Sequence, residues 1–401
     1  RLLNIVTENN QALKSIFHLD LDAFFCAVEV LIKPELEGKP FVVGGKSNRG
    51  VVTSASYAAR RFGVRSAMPM ARATQLCPGL IVVSSTRNEY GKRSKQVMEI
   101  LNGFSDHVEQ MSIDEAYIEV NKNSSDSILK KAKDLQSEIL NKTGLPCSIG
   151  VASNKLVAKI ANDFGKASTK TNSYPMSIKI VEEGAEREFL HPLPVDMLMG
   201  VGPKTAARLE ELGIYTIGDI SDWPLTDLVN RFGQSGYSIS LKSQGIDNRK
   251  INTKRRSKSV SQESTFFEDI SDEKKILSII KKQSDKIGKS LKSSEKKGAT
   301  IKIKLRWTDF STITRQKTIE FPTNDPKIIY SNAKSLLAEN WNKKRPIRLI
   351  GVGISNFDQP TKQLSLWDSP NNLRQAKIQK AITDINRKLG KEKIFKGSKN
   401  R

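Results

Sequence analysis

Two apolar, strand-like runs that each deliver carboxylates constrain this chain more than any other feature. The first is Ile16-Phe-His-Leu-Asp-Leu-Asp-Ala-Phe-Phe25, which carries Asp20 and Asp22; the second comes about ninety residues later, at Ser112-Ile-Asp-Glu115. Three carboxylates brought together from two such strands repel one another unless a divalent cation sits between them, so the pattern reads as a hard-metal site with oxygen ligands. A metal pair about 3.5 to 4 Å apart in such a site is the usual apparatus of in-line phosphoryl chemistry.

The 401 residues exceed one ordinary core and imply two to four domains. Lys and Arg outnumber Asp and Glu by 66 to 43, a net charge of +23, which suits a polyanionic partner, nucleic acid before any other. Cys26, Cys77 and Cys147 are isolated, odd in number and without metal-ligand spacing, which argues against a disulfide scaffold and fits a reducing cytoplasm. No apolar stretch approaches a membrane span. The three histidines, His18, His107 and His191, are too scattered for a triad or a zinc site.

Alternation and turn residues predict a strand over 16–21, a helix over 24–31, and a small inserted pair of strands, 40–45 and 50–56, that leads into a helix at 57–62. Helices over 89–101 and 126–142 flank the acidic Met111–Val120 segment, and a strand at 147–152 feeds a helix at 155–164. The result is a mixed α/β layer around two acidic strands. Near residue 190 the composition shifts to short helices. Gly200 and Gly202 permit a tight turn there and Pro203 suits a helix's first turn, leaving free N–H groups to meet a phosphate; this is the helix-hairpin-helix pattern of backbone contact with DNA. After a basic linker, residues 258–358 read as a βαββαβ domain. In its strand 299–307, Ile301, Ile303, Leu305 and Trp307 share one face while Lys302, Lys304 and Arg306 share the other. Residues 245–305 hold 17 Lys/Arg against 8 Asp/Glu, so phosphate contact is favoured over a merely solvated face. The tail after Phe357 is polar and basic but contains the apolar pentapeptide Gln363-Leu-Ser-Leu-Trp367.

Together these residues resemble the Y-family DNA polymerases, most closely the DinB branch, over residues 16–358 with the domains in the family's order. The resemblance implies a multidomain α/β and α+β right-hand polymerase. Its parts are a ferredoxin-like palm (1–30 and 87–174), small fingers (31–86), a helical helix-hairpin-helix thumb (175–243), the basic linker (244–257), a βαββαβ little finger (258–358) and a basic tail (359–401). It implies that Asp20, Asp114 and Glu115, with the main-chain carbonyl of Leu21, ligate two Mg²⁺ ions, Mn²⁺ being the substitute. Phe25 corresponds to the steric gate under the sugar, and Phe24 to its core neighbour. Tyr57 and Arg60, from Ser56-Tyr-Ala-Ala-Arg60, correspond to the residues that hold the β and γ phosphates, Ser56 replacing the commoner Asn. Thr53 and Ser54 correspond to the small residues over the incoming base, and Lys166 to a lysine on the triphosphate. The family's Lys-Pro-x-Gly is absent after Lys166, so the local turn must differ. Asp22 is read as a local cap or ion-pair partner rather than a ligand, and Lys159 as a palm surface or DNA contact. DNA contacts fall to Gly200, Gly202, Lys204, Arg255, Arg256, Lys302, Lys304 and Arg306. Gln363, Leu364, Leu366 and Trp367 resemble the bacterial sliding-clamp motif, with Leu and an aromatic residue as anchors.

The implied enzyme is a cytoplasmic monomer that adds dNTPs to a primer on template DNA, at low fidelity and without proofreading, in translesion synthesis. Two rivals remain at this level. A nucleotidyl cyclase shares the palm layout and the two-metal carboxylates but needs neither the helix-hairpin-helix nor the basic βαββαβ domain. A DNA-binding scaffold with a degenerate palm has no need of Asp20, Asp114, Glu115, Tyr57, Arg60 and Lys166 together.

Overall fold

The structure, a computed structural model, describes residues 14–357 apart from 46, 48, 122–124, 170, 172, 255 and 344. Arg255 and the pentapeptide Gln363 to Trp367 lie outside the described residues. Two compact units divide the chain, one up to Arg256 and one from Ser257.

The first unit opens with β1 (Lys14–Leu21), α1 (Phe24–Ile32), β2 (Phe41–Gly44), β3 (Val52–Ala55), α2 (Tyr57–Arg60), α3 (Met70–Leu76) and β4 (Ile81–Val83). It continues with α4 (Arg87–Phe104), β5 (Val108–Gln110), β6 (Glu115–Asn121), α5 (Ser125–Thr143), β7 (Cys147–Ala152), α6 (Lys155–Ser168) and β8 (Ile178–Ile180). Five short helices complete it: α7 (Glu186–Leu190), α8 (Pro203–Glu210), α9 (Ile217–Asp222), α10 (Leu225–Phe232) and α11 (Gln234–Ser243).

Strand β1 is central in a five-stranded sheet of order β5-β6-β1-β7-β8, antiparallel to both β6 and β7. Because successive side chains point to opposite faces, Phe17, Leu19 and Leu21 enter one core with Leu101 of α4 and Leu135 of α5. Ile16 lies on the other face, in a second core with Leu156, Val157 and Ile160 of α6. His18 and Asp20 share that second face, so the alternation that builds the core also brings the acidic end of β1 beside α6. A smaller sheet, β3-β2-β4, has its own core of Val42, Val52, Ala59, Val64 and Met70. The three cysteines are buried and unbridged.

Close approach of α6 to the sheet depends on Gly150 of β7. A Cβ there would lie 2.0 Å from the Ala158 carbonyl oxygen and 2.4 Å from the Asn162 nitrogen, contacts that backbone cannot relieve. The N-terminus of α6 is capped by Asn154, which accepts from the Val157 N–H at 3.0 Å, and by Asp247, which accepts from the Leu156 N–H at 3.0 Å. The first half of the basic linker expected over 244–257 is thus tied to the first unit by hydrogen bonds. Besides Asp247, the Gly245 carbonyl accepts from Asn154 Nδ2 at 2.9 Å, and the Asn252 N–H donates to Glu109, itself paired in the interior with Lys155 at 2.6 Å.

The second unit runs β9 (Ser259–Ile270), α12 (Glu273–Ser293), β10 (Gly298–Trp307), β11 (Thr312–Thr323), α13 (Pro326–Asn340) and β12 (Ile347–Ser355). Its sheet order is β11-β10-β12-β9, antiparallel throughout. Ile301, Ile303, Leu305 and Trp307 are buried against α12 and α13, as the alternation predicts. Among the described residues no helix is long and apolar enough to cross a membrane.

Gly150→Ala is expected to push α6 off the sheet and cost about 1–3 kcal/mol, the usual penalty of overpacking. Denaturant midpoints of the two proteins measure it; an unchanged midpoint would show that α6 is not seated on Gly150.

Candidate active site

The register of β1 and β6 assembles the acidic centre. Asp20 stands directly opposite Glu115, and the Leu21 N–H donates to the Asp114 carbonyl at 3.0 Å. The turn before β6 is held by Ser112, whose hydroxyl donates to Asp114 Oδ1 at 2.5 Å and accepts from the N–H groups of Asp114 and Glu115 at 3.2 and 3.0 Å. Burial is the main cause that raises the Asp114 pKa, and the charge of Asp20 adds to it; Glu115 is raised by burial in the same way, with Asp20 and Asp114 adding to it. The carboxylates therefore resist sharing this space without a cation.

Cations already lie against them. Lys166 reaches Asp20 Oδ1 at 2.5 Å and Asp22 Oδ1 at 3.2 Å, and Lys159 reaches Glu115 at 3.1 Å and Asp163 at 3.7 Å. Burial works against the charge on each lysine, but the neighbouring carboxylates outweigh it and raise both pKa values. Among the described residues no three acids close into a ready coordination shell. Lys159, read from the sequence as a palm surface or DNA contact, is partly exposed and pairs with Glu115 and Asp163.

Asp22 is fully buried, accepting from Ser148 Oγ at 2.9 and 3.0 Å and from the Met176 N–H at 2.9 Å. It is an ion-pair partner but not a cap: the N-cap position of α1 is Ala23, in the left-handed region at φ 46°, and no side chain caps the helix. Burial raises its pKa despite Lys166. Beneath, His18 is held well below its usual pKa by burial and then by Lys159 and Lys166, and its Nδ1 lies 3.0 Å from Asn162 Nδ2.

Lys166 sits inside α6, which ends with the Thr169 hydroxyl donating to the Gly165 carbonyl at 2.8 Å. The chain then returns through Tyr174, whose ring meets Tyr57 edge-on at 5.8 Å, and Met176 on Asp22.

Ser56 explains its own presence: its hydroxyl caps α2 by accepting from the Ala59 N–H at 3.2 Å, accepts from the Phe41 N–H at 3.0 Å and donates to the Lys39 carbonyl at 3.0 Å. The Arg60 guanidinium lies 4.5 Å from the Tyr57 ring centroid and donates from Nε to the Ala55 carbonyl at 3.0 Å, so the two side chains act from one side of α2. Phe24 is buried and Phe25 only partly so. On β3, Thr53 is exposed whereas Ser54 is buried with its hydroxyl 3.5 Å from Cys26 Sγ. Of this pair only Thr53 is open to a base, which corrects the assignment of Ser54.

Gly200 adopts φ +103° and Gly202 is the N-cap of α8, with Pro203 at its first position and Lys204 exposed. Arg256 is exposed. In the second unit Lys302, Lys304 and Arg306 lie on the face of β10 away from the helices, Lys304 paired with Glu263 at 3.0 Å and Arg306 Nε donating to Thr312 at 2.9 Å. Gly351 and Gly353 of β12 keep that face open. A Cβ on Gly353 would lie 2.7 Å from Lys302 Cε, and one on Gly351 2.7 Å from Glu263 Cγ. These glycines were missed in the sequence, where their spacing of two in an apolar strand is the available signal. Ser112 and Tyr174 were missed too.

The fold is that of Y-family polymerases. A chimera titled "Y-family DNA polymerase chimera Dbh-Dpo4(243-245)-Dbh" superposes with a TM-score of 0.75 at 28% identity, covering 86% of this chain and all of that one. The "Insertion ternary complex of Dbh DNA polymerase" gives 0.62 at 27% identity, over 86% of this chain and all of that one. The impB/mucB/samB family matches residues 19–163, its C-terminal domain matches 257–366, and the IMS family HHH motif matches 183–214. DNA polymerase IV of Dehalococcoides mccartyi is 36% identical over 96% of this chain and 97% of its own length. DNA polymerase IV of Listeria monocytogenes serotype 4a is 38% identical over 86% and 95%. The chain belongs to the impB/mucB/samB family.

A pH signature follows from Asp114. Its folded pKa lies above the ordinary 3.8, so its contribution to stability is complete below the unfolded pKa and is lost as pH rises through the folded one. In metal-free buffer Asp114→Asn, which keeps the Ser112 contact, is expected to be the more stable protein at about pH 7.5, the gap narrowing toward about pH 4. Denaturant midpoints across that range check it; a gap that widens on acidification contradicts it.

Proposed function

We propose that this DNA-directed DNA polymerase extends a primer 3′-OH by phosphoryl transfer at Asp20, Asp114 and Glu115, and that it works on damaged templates without proofreading. The observation that carries the reading is the pairing of Asp20 with Glu115 across β1 and β6, with Asp114 in the turn between strands. A cyclase is not favoured, because the family match extends through the HHH motif and the C-terminal domain.

The donor set suits two divalent cations, Mg²⁺ with Mn²⁺ as substitute. Three carboxylates and the Leu21 carbonyl are hard oxygen ligands, and burial, with the neighbouring acids adding to it, raises the pKa values of Asp114 and Glu115. When bound, such a pair lowers the pKa of the attacking hydroxyl and offsets charge on the triphosphate and its leaving pyrophosphate. The chain's own residues supply the rest. Tyr57 and Arg60 bind the β and γ phosphates from one side of α2, Arg60 as a fork of donors. Lys166 leaves Asp20 for the triphosphate, a transfer that suits a point charge on a flexible stem. Phe25 lies under the sugar and excludes a 2′-hydroxyl, Phe24 backs it from the core, and Thr53 faces the base.

Primer-template DNA meets the free N–H groups at the start of α8 near Gly200, Gly202 and Lys204. Arg255, Arg256 and the Lys302, Lys304 and Arg306 face meet its phosphates. Gln363, Leu364, Leu366 and Trp367 dock on a bacterial sliding clamp, and the enzyme acts in the cytoplasm.

Primer extension with dNTPs tests the reading. Asp114→Ala combined with Glu115→Ala is expected to abolish extension while primer-template binding persists; extension by that variant would sink the assignment. Arg60→Ala is expected to lower kcat by about 10²–10³, the usual loss of a charge clamp. A kcat within about threefold of the parent's would remove Arg60 from the phosphate site.

A further inference from the structure

We propose that Glu29 is a positioning residue for sugar choice. Through the hydroxyl of Tyr90 it fixes the surface behind Phe25, and so the proposal rests on the reading of Phe25 as the sugar filter. Glu29 follows Phe25 by four residues on α1, which places both on one side of the helix. Its carboxylate is fully buried. Oε1 accepts from the Tyr90 hydroxyl at 2.5 Å and from the Thr86 N–H at 3.1 Å, while Oε2 has no partner among the described residues. Tyr90 is itself 4% exposed, with its ring centroid 4.5 Å from that of Phe25 and 6.2 Å from that of Phe24.

A buried carboxylate with an unpaired oxygen is costly, and an apolar residue would fill the same space at less cost. What an apolar residue cannot do is hold a phenol hydroxyl and a backbone N–H on one atom. A ring can reject a 2′-hydroxyl only if it cannot retreat, and close-packed interiors pass such a push to the next side chain. Behind Phe25 that side chain is Tyr90, and the polar end of Tyr90 is anchored on Glu29 and Thr86. The simpler role for Glu29 is to satisfy the Thr86 N–H at the start of α4, where no side-chain cap is present. That role alone leaves sugar choice untouched, which separates the two.

The measurement is single-nucleotide insertion by the full chain on primer-template with Mg²⁺, comparing a dNTP with its matching rNTP. The ratio of kcat/KM values is taken within each variant, so a general loss of rate cancels. Tyr90→Phe keeps the ring and removes the hydroxyl, Glu29→Ala removes the acceptor, and Glu29→Gln keeps an acceptor oxygen. Phe25→Ala is expected to lose most of the discrimination. Tyr90→Phe and Glu29→Ala are each expected to lose about tenfold, the scale of one hydrogen bond to a charged group, and Glu29→Gln to recover it. Thermal melting verifies folding, and Tyr90→Phe carries the test if Glu29→Ala does not fold. A parental ratio in folded Tyr90→Phe, with Phe25→Ala impaired, overturns the proposal, as does Glu29→Gln failing as badly as Glu29→Ala. A parental ratio in Phe25→Ala overturns the sugar-filter reading and the proposal with it.

Discussion

Repulsion among carboxylates that the sheet forces together is the constraint on which the rest of the site depends. The antiparallel pairing of β1 and β6 sets Asp20 opposite Glu115 whatever their charges prefer, because register is fixed by Phe17, Leu19 and Leu21 entering the core. Charges taken out of water must be paired. Lys166 answers Asp20 and Asp22, and Lys159 answers Glu115 and Asp163. Both lysines project from α6, so the seat of that helix on Gly150 and its double cap at Asn154 and Asp247 are parts of the electrostatic design as much as of the fold.

The same arrangement suits a change of partner. Under the proposed function, divalent cations held by Asp20 and Glu115 would free Lys166 and Lys159 from these pairs, and Lys166 would then have the triphosphate as its second anion. Asp22 is also held by hydrogen bonds from Ser148 and Met176, which involve neither lysine. The sugar filter proposed for Phe25 would be organised separately, on α1 and α4, where Phe25 packs on Tyr90 and Tyr90 bonds to Glu29.

Local patterns were legible in the sequence because they rest on short-range physics. The alternation in Ile301 to Trp307, the acidic strand ends, the Gly-x-Gly-Pro turn before α8 and the spacing of Tyr57 and Arg60 all survive in the structure. Arrangements that join distant segments were not legible. Nothing near Lys159 announces its pairing with Glu115, 44 residues away. Nor does anything near Glu29 announce Tyr90, 61 residues on. Ser54 looked available beside Thr53 until strand alternation turned it inward to Cys26. The half of the basic linker that docks on the first unit could not be distinguished by composition, because Asp247 caps α6 besides pairing with Arg249, and Asn252 anchors through its backbone N–H.

The most direct test of the two-metal account is anomalous scattering from crystals of the enzyme with primer-template, an incoming dNTP and Mn²⁺. The account predicts two manganese peaks on the oxygens of Asp20, Asp114 and Glu115, with Lys166 moved off Asp20. Peaks centred instead on Asp22 and Asp163, or none at the β1 and β6 strand ends while Lys166 still pairs with Asp20, would contradict it.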